Sequence, residues 1–197
     1  LSQKQADIIE IEQQQYANLF QMEAASATNG NGSNIDEKYV RFNLTMSPSV
    51  SPATVTGTVT HYFTTTVDNV QTIKYDLYNV GMDVVSLKYH GVTYTATAVI
   101  NHIVDTVVIN LPAPIATMGT LDSVTISYKG TPPQSANRRG YKRSTMSSKS
   151  ILSTHSSGYF ARQWWPCKHT LGDKIDSIDI FVTAPSANRV VGNGLLQ

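Results

Sequence analysis

The sequence predicts a mostly β fold, a large antiparallel twisted sheet or β-sandwich with one N-terminal helix. Three observations carry this expectation. Runs with a period of two recur from Lys38 onward, short turn signals separate them, and almost no helical period follows residue 30. Composition agrees, since charged residues make up only 15% of the 197 and Thr, Ser, Val and Tyr are abundant, a mixture that suits strands with hydroxylated outer faces. With 41% hydrophobic residues the chain can bury a core.

Taken in order, Ser2-Gln-Lys-Gln5 reads as a capping box, and Ile8, Ile9, Ile11, Tyr16, Leu19 and Phe20 recur at helical spacing, giving a helix over residues 1–26. Residues 27–37 read as a linker, because the stretch ATNGNGSN lacks apolar anchors and is rich in Gly and Asn. A β-domain over 38–197 follows. Val55, Gly57, Val59, His61 and Phe63 alternate with Thr54, Thr56, Thr58, Thr60 and Tyr62, which sets a buried face against a polar one. The alternation returns at Ile73/Tyr75/Leu77, Val85/Leu87/Tyr89, Val107/Ile109/Leu111, Val124/Ile126/Tyr128 and Ile178/Ile180/Val182. Asp68-Asn69, His90-Gly91, Met118-Gly119 and Gly130-Thr-Pro-Pro133 mark turns between the runs. Residues 134–157 show little apolar pattern and read as a long loop, of a length that is more often functional or partner-covered than idle.

A formal net charge of +1 provides no field to gather a polyanion, and no apolar run reaches the roughly 20 residues of a membrane span, so neither nucleic acid nor a bilayer is an expected partner. A single cysteine, Cys167, excludes an internal disulfide framework. The chain begins at Leu1 rather than Met and is expected to derive from an exported protein.

Chemistry-bearing constellations are scarce. None of His61, His90, His102, His155 and His169 stands at the i, i+4 spacing of an H-E-x-x-H helix, so no metal site and no catalytic residue is expected in this chain. His155, His169 and Asp173 could meet only through loop folding, and the bland reading of each is a solvated or structural residue. His61, on the apolar face of a strand, reads as a hydrogen-bonded core histidine. Cys167 beside His169 could be an activated thiolate, but a small buried residue next to Trp165 and Pro166 is the simpler reading. Arg138, Arg139, Lys142 and Arg143 around Gly140-Tyr141 could grip an anion, against the simpler reading of a solvated loop.

One segment exceeds what strand periodicity explains: Ala161-Arg162-Gln-Trp164-Trp165-Pro166-Cys167, then Asp173-Lys174, the strand pattern at 178–183, and Asn193-Gly194. Upstream lie Tyr128-x-Gly130-x-Pro132-Pro133, Gly140-Tyr141 and Leu111-Pro112. Together these resemble the N-terminal, saddle-like β-domain of the aminopeptidase N and leukotriene hydrolase family of zinc peptidases, from about residue 38 to Gln197.

That resemblance implies a non-catalytic domain of a zinc aminopeptidase. Its partners would be the following catalytic domain of the same polypeptide and a peptide substrate. The zinc, an H-E-x-x-H helix and a G-x-M-E-N strand would all lie in that next domain, which is absent here. It also implies a carboxylate that holds the peptide's α-amine, at the position of Ser157. The chain departs from the family there, with His155-Ser156-Ser157-Gly158, and a serine offers no opposing charge. Ser157 and His155 are therefore the substrate-binding candidates. Ala161, Arg162, Trp164, Trp165, Pro166, Cys167, Asp173 and Lys174 are the structural motif. Two alternatives stand beside this reading: a protein-interaction scaffold derived from the same family, and a carbohydrate-binding or adhesive sandwich suggested by exposed Thr and Tyr.

Overall fold

The computed structural model describes residues 14, 17, 18, 21, 29–133, 140–156, 159–170 and 172–195. Of the helix expected over 1–26, Gln14, Ala17, Asn18 and Gln21 are among them and are helical, with Gln14 Nε2 donating to Asn18 Oδ1 at 3.1 Å across one turn. The rest of that expectation lies outside the described residues.

The strands are β1 (Ile35–Met46), β2 (Val55–Thr65), β3 (Val70–Asp76), β4 (Met82–Tyr89), β5 (Val92–Tyr94), β6 (Ile100–Ile103), β7 (Thr106–Ile115), β8 (Leu121–Gly130), β9 (Gly140–Met146), β10 (Lys149–His155) and β11 (Ser177–Thr183). They form a six-stranded sheet in the order β11-β1-β2-β8-β4-β5, a three-stranded sheet β3-β7-β6 and the hairpin β9-β10. Pairing is antiparallel except at one edge, where β11 runs parallel to β1.

The core follows from the period-two faces. Val55, Val59 and Phe63 of β2, Val124, Ile126 and Tyr128 of β8, and Ile73, Tyr75, Val107 and Ile109 of β3 and β7 are all buried in a single cluster. His61 of β2 stacks on Tyr75 of β3, ring centroids 4.1 Å apart, so the two sheets meet across this core.

Two bulges shift which side chains face inward. In β1 the register slips between Glu37 and Tyr39, so Ile35 and Glu37 are buried before the slip and Val40, Phe42 and Leu44 after it. A similar slip between Val84 and Ser86 moves Val85 outward, against the expected Val85/Leu87/Tyr89 face, while Leu87 and Tyr89 stay buried.

Three further expectations need correction. The linker over 27–37 gives way to strand at Ile35, and the Asn-Gly stretch before it is pinned. Asn29 and Asn31 each donate to the buried carboxylate of Asp76, at 2.6 and 2.9 Å, and Asn34 donates to the Thr72 carbonyl. Amide side chains thus supply the anchoring that the lack of apolar residues seemed to forbid. Within the expected loop over 134–157, β9 and β10 form a hairpin turned at Ser147-Ser148, both at positive φ. It is anchored by buried Tyr141, whose hydroxyl donates to the Thr54 carbonyl at 2.7 Å, and by Arg143 Nε donating to the Pro48 carbonyl at 2.6 Å. Residues 134–139, which include Arg138 and Arg139, lie outside the described residues. Finally, Ile178 and Ile180 of β11 pair with Val40 and Phe42 and so share the core side of the sheet, yet they are 48% and 52% exposed because no second layer of the described residues reaches that edge.

Candidate functional site

The motif segment forms the floor between the two sheets. A single 3-10 turn, Ala161–Gln163, brings the chain beneath the hairpin, where Gly140 adopts φ +69° and passes so close to Gln163 that a Cβ there would sit 2.2 Å from Oε1. Arg162 is buried with its guanidinium 4.5 Å above the Tyr78 ring and 4.0 Å from Asp105, and its carbonyl accepts from Tyr78 N–H at 2.8 Å. Trp164 stacks on Phe42 and donates Nε1–H to Ser156 Oγ at 3.1 Å; Trp165 meets Phe42 edge to face at 4.7 Å. Pro166 is buried, and Cys167 closes a two-way backbone bridge to Asp76, at 3.0 and 2.7 Å. These polar contacts tie the segment to the end of β3 at Asp76, to Tyr78 just after it, to Asp105 in the turn between β6 and β7, and to Ser156 after the hairpin. These contacts hold the structure together; they do not aim a nucleophile.

Beyond Cys167, the chain returns to β1 through a nearly buried ion pair. Lys168 Nζ donates to Asp173 Oδ2 at 2.5 Å and also to the Ile35 carbonyl, and the same Asp173 oxygen accepts Glu37 N–H at 3.1 Å. Burial would raise the Asp173 pKa, but the bond from Lys168, the bond from the Glu37 amide and the Lys168 charge outweigh it and hold it below the ordinary carboxylate value. Lys174 is exposed.

Next to this pair lies the one buried acid–imidazole contact among the described residues. Glu37 and His61 are 3% and 1% exposed, with His61 Nδ1 3.2 Å from Glu37 Oε2. Glu37 Oε1 and His61 Nε2 have no hydrogen-bond partner, and neither has the Tyr75 hydroxyl behind them. Burial drives the Tyr75 pKa far above 10, and the negative charge of Glu37 adds to it. The sequence reading singled out His61 but missed Glu37. The usable signal was a charged residue two places after Ile35 on the buried face of β1, in register with Phe63; it is hidden because the bulge breaks the period just after Glu37.

The two substrate-binding candidates fare differently. His155 ends β10, exposed and paired with Gly140, while Ser157 lies outside the described residues. His169 is buried against Tyr159, ring centroids 5.2 Å apart. Among the described residues, no group of three or more His, Cys, Asp or Glu could hold a metal ion, so His155, His169 and Asp173 do not converge as one. No described helix is long and apolar enough to cross a membrane.

No protein-family model and no curated protein matches the chain. Solved structures do. An M1 zinc metallopeptidase from Deinococcus radiodurans superposes with a TM-score of 0.64 at 21% identity, over 78% of this chain and 33% of that one. A mutant of that enzyme bound to a Tyr-Ser-Ala substrate gives a TM-score of 0.65 at 20% identity, over 83% of this chain and 36% of that one. Native leukotriene A4 hydrolase from Saccharomyces cerevisiae gives 0.59 at 15% identity, over 81% of this chain and 25% of that one. The chain thus spans about a third or less of the length of these structures. Its β-sheet architecture is the fold of one region of the M1 zinc metallopeptidases and leukotriene A4 hydrolases.

Proposed function

We propose that this chain is the non-catalytic N-terminal β-domain of a zinc-dependent aminopeptidase, packing on a catalytic domain of the same polypeptide and helping to wall its substrate cavity. The observation that carries the reading is the fold match, which covers most of this chain but only 25–36% of each zinc peptidase. The motif from Ala161 to Lys174 agrees with it, as does the core side of β11, where the described residues leave Ile178 and Ile180 half exposed. In this reading, peptide hydrolysis by metal-activated water belongs to the neighbouring domain, which also holds the zinc. This chain contributes a surface and a loop.

The test is made on the longer polypeptide. An intact H-E-x-x-H with G-x-M-E-N beyond Gln197, about one zinc per chain and release of N-terminal residues from peptides would support the reading. Ile180→Glu should lower that activity while leaving the fold of the 197-residue chain intact. Ser157→Glu should strengthen the binding of peptides with a free N-terminus and leave N-acetylated peptides unaffected, because only the former carry an ammonium. Equal effects on both would overturn the placement of Ser157 at the amine. A second reading, a non-catalytic interaction scaffold, is favoured by the serine that stands where a carboxylate is implied. Loss of the zinc-binding helix from the longer polypeptide would decide for it.

A further inference from the structure

A cavity of about 140 Å³ lies where β1 and β2 meet the segment after the 3-10 turn, and its lining includes Glu37, His61, Ala161, Trp165, Lys168 and Asp173. An ordered water needs only roughly 10–15 Å³ by this kind of measure, so the space admits a small organic molecule. Its polar inventory is unbalanced. Because a carboxylate can only accept, His61 Nδ1 is the donor in its 3.2 Å contact with Glu37 Oε2, and in the tautomer that this bond fixes, Nε2 carries a lone pair. Glu37 Oε1 and His61 Nε2 are then two buried acceptors with a single donor at hand, the Tyr75 hydroxyl beside Glu37, so at least one acceptor is left for a guest to satisfy.

The charges point the same way. Lys168 is engaged with Asp173 and the Ile35 carbonyl, so the two neutralise each other. Glu37 remains as the lining's unmatched charge. The Trp165 ring lies nearly parallel to His61, 15° between planes with centroids 6.1 Å apart, and adds an aromatic face of the kind that attracts cations. A guest that satisfies these groups needs several N–H donors, a positive charge and a short apolar part.

We propose that this cavity binds a small protonated primary amine, its ammonium held by Glu37 Oε1 and His61 Nε2 against the Trp165 ring. None of the lining residues is Ser157 or His155, so the proposal is independent of the peptidase reading.

The experiment titrates the 197-residue chain with ethylammonium chloride, following the Trp165 indole and His61 imidazole signals by NMR at constant ionic strength, with ethanol and sodium chloride as controls. The expected result is a saturable shift with ethylammonium and at least about tenfold weaker binding of ethanol, which has the same size and no charge. Glu37→Gln should weaken ethylammonium binding by about tenfold or more, and Ala161→Leu, which fills the space, should abolish it. If Glu37→Gln does not fold, the contrast of ethylammonium with ethanol on the unaltered chain and the Ala161→Leu variant still decide. Absence of saturation, equal binding of ethanol, a response reproduced by sodium chloride, or binding retained in Ala161→Leu would each overturn the proposal and leave a cavity that holds water only.

Discussion

Replacing Asp173 with Asn removes one charge from the bond that ties the segment after Cys167 to β1. In the native protein Asp173 Oδ2 accepts from Lys168 Nζ at 2.5 Å and from Glu37 N at 3.1 Å, with side-chain exposures of 10% for Lys168 and 14% for Asp173. A hydrogen bond to a charged group contributes about 1.5–3 kcal/mol, and severing a fully buried pair costs about 3–5 kcal/mol. The pair here is nearly buried and Asn keeps one acceptor, so Asp173→Asn should cost about 2–3 kcal/mol at neutral pH. For a chain of this size, that lowers Tm by roughly 4–12 °C. The pH dependence gives a sharper test. The folded pKa of Asp173 lies below its unfolded value, so its contribution is complete above the unfolded pKa of about 3.9 and is lost as pH falls through the folded value. Protonated Asp is neutral, as Asn is. Urea unfolding of the two proteins should therefore differ most at neutral pH and converge in strong acid. A difference under about 0.5 kcal/mol at neutral pH, or one that persists unchanged in acid, would refute this account.

Val104 sits at φ +43° in the two-residue turn between β6 and β7 and is 77% exposed, so Val104→Asn should stabilise the chain by about 0.5–1 kcal/mol in denaturant titration. Gly140→Ala places a Cβ 2.2 Å from Gln163 Oε1 at a positive φ and should destabilise by about 2 kcal/mol or more, read as an earlier urea midpoint. Burial raises the pKa of Tyr75, Tyr89, Tyr128 and Tyr141, so at least four of the ten tyrosines should resist ionisation near pH 10 and ionise only with unfolding. Because the unfolded hydroxyls ionise first, stability falls as pH rises above about 10, and absorbance at 295 nm should track the loss of structure.

The parts of the fold that announce themselves in sequence are the strands with one wet and one dry face. β2 and β8 keep a period of two because one side of each is core, and β3 and β7 keep it over Ile73/Tyr75 and Val107/Ile109/Leu111, on one side of the irregularity between Val70 and Thr72. β9 and β10 do not, because their residues are mostly polar or exposed and the hairpin is held by one tyrosine and one arginine reaching distant carbonyls. Bulges hide others: a single inserted residue moves Val85 outward and leaves Glu37 inward, which no alternation count detects. The Ala161–Cys167 segment was visible as an unusual string of residues. Its partners Asp76, Tyr78 and Asp105 were not, because backbone bridges, ring contacts and ion pairs between residues far apart in sequence leave no periodic trace.

The pairing of the first strand with the last has a temporal consequence. On that edge of β1, Tyr39 is in register with Ser177, and the seven-residue parallel pairing along β11 forms only once Ser177 to Thr183 have been made. During synthesis, one edge of β1 must wait with unpaired amides and carbonyls while β2 occupies the other. A nascent chain halted before Ser177 would present that open edge to other chains, so truncation there should favour intermolecular strand pairing over a soluble shorter domain.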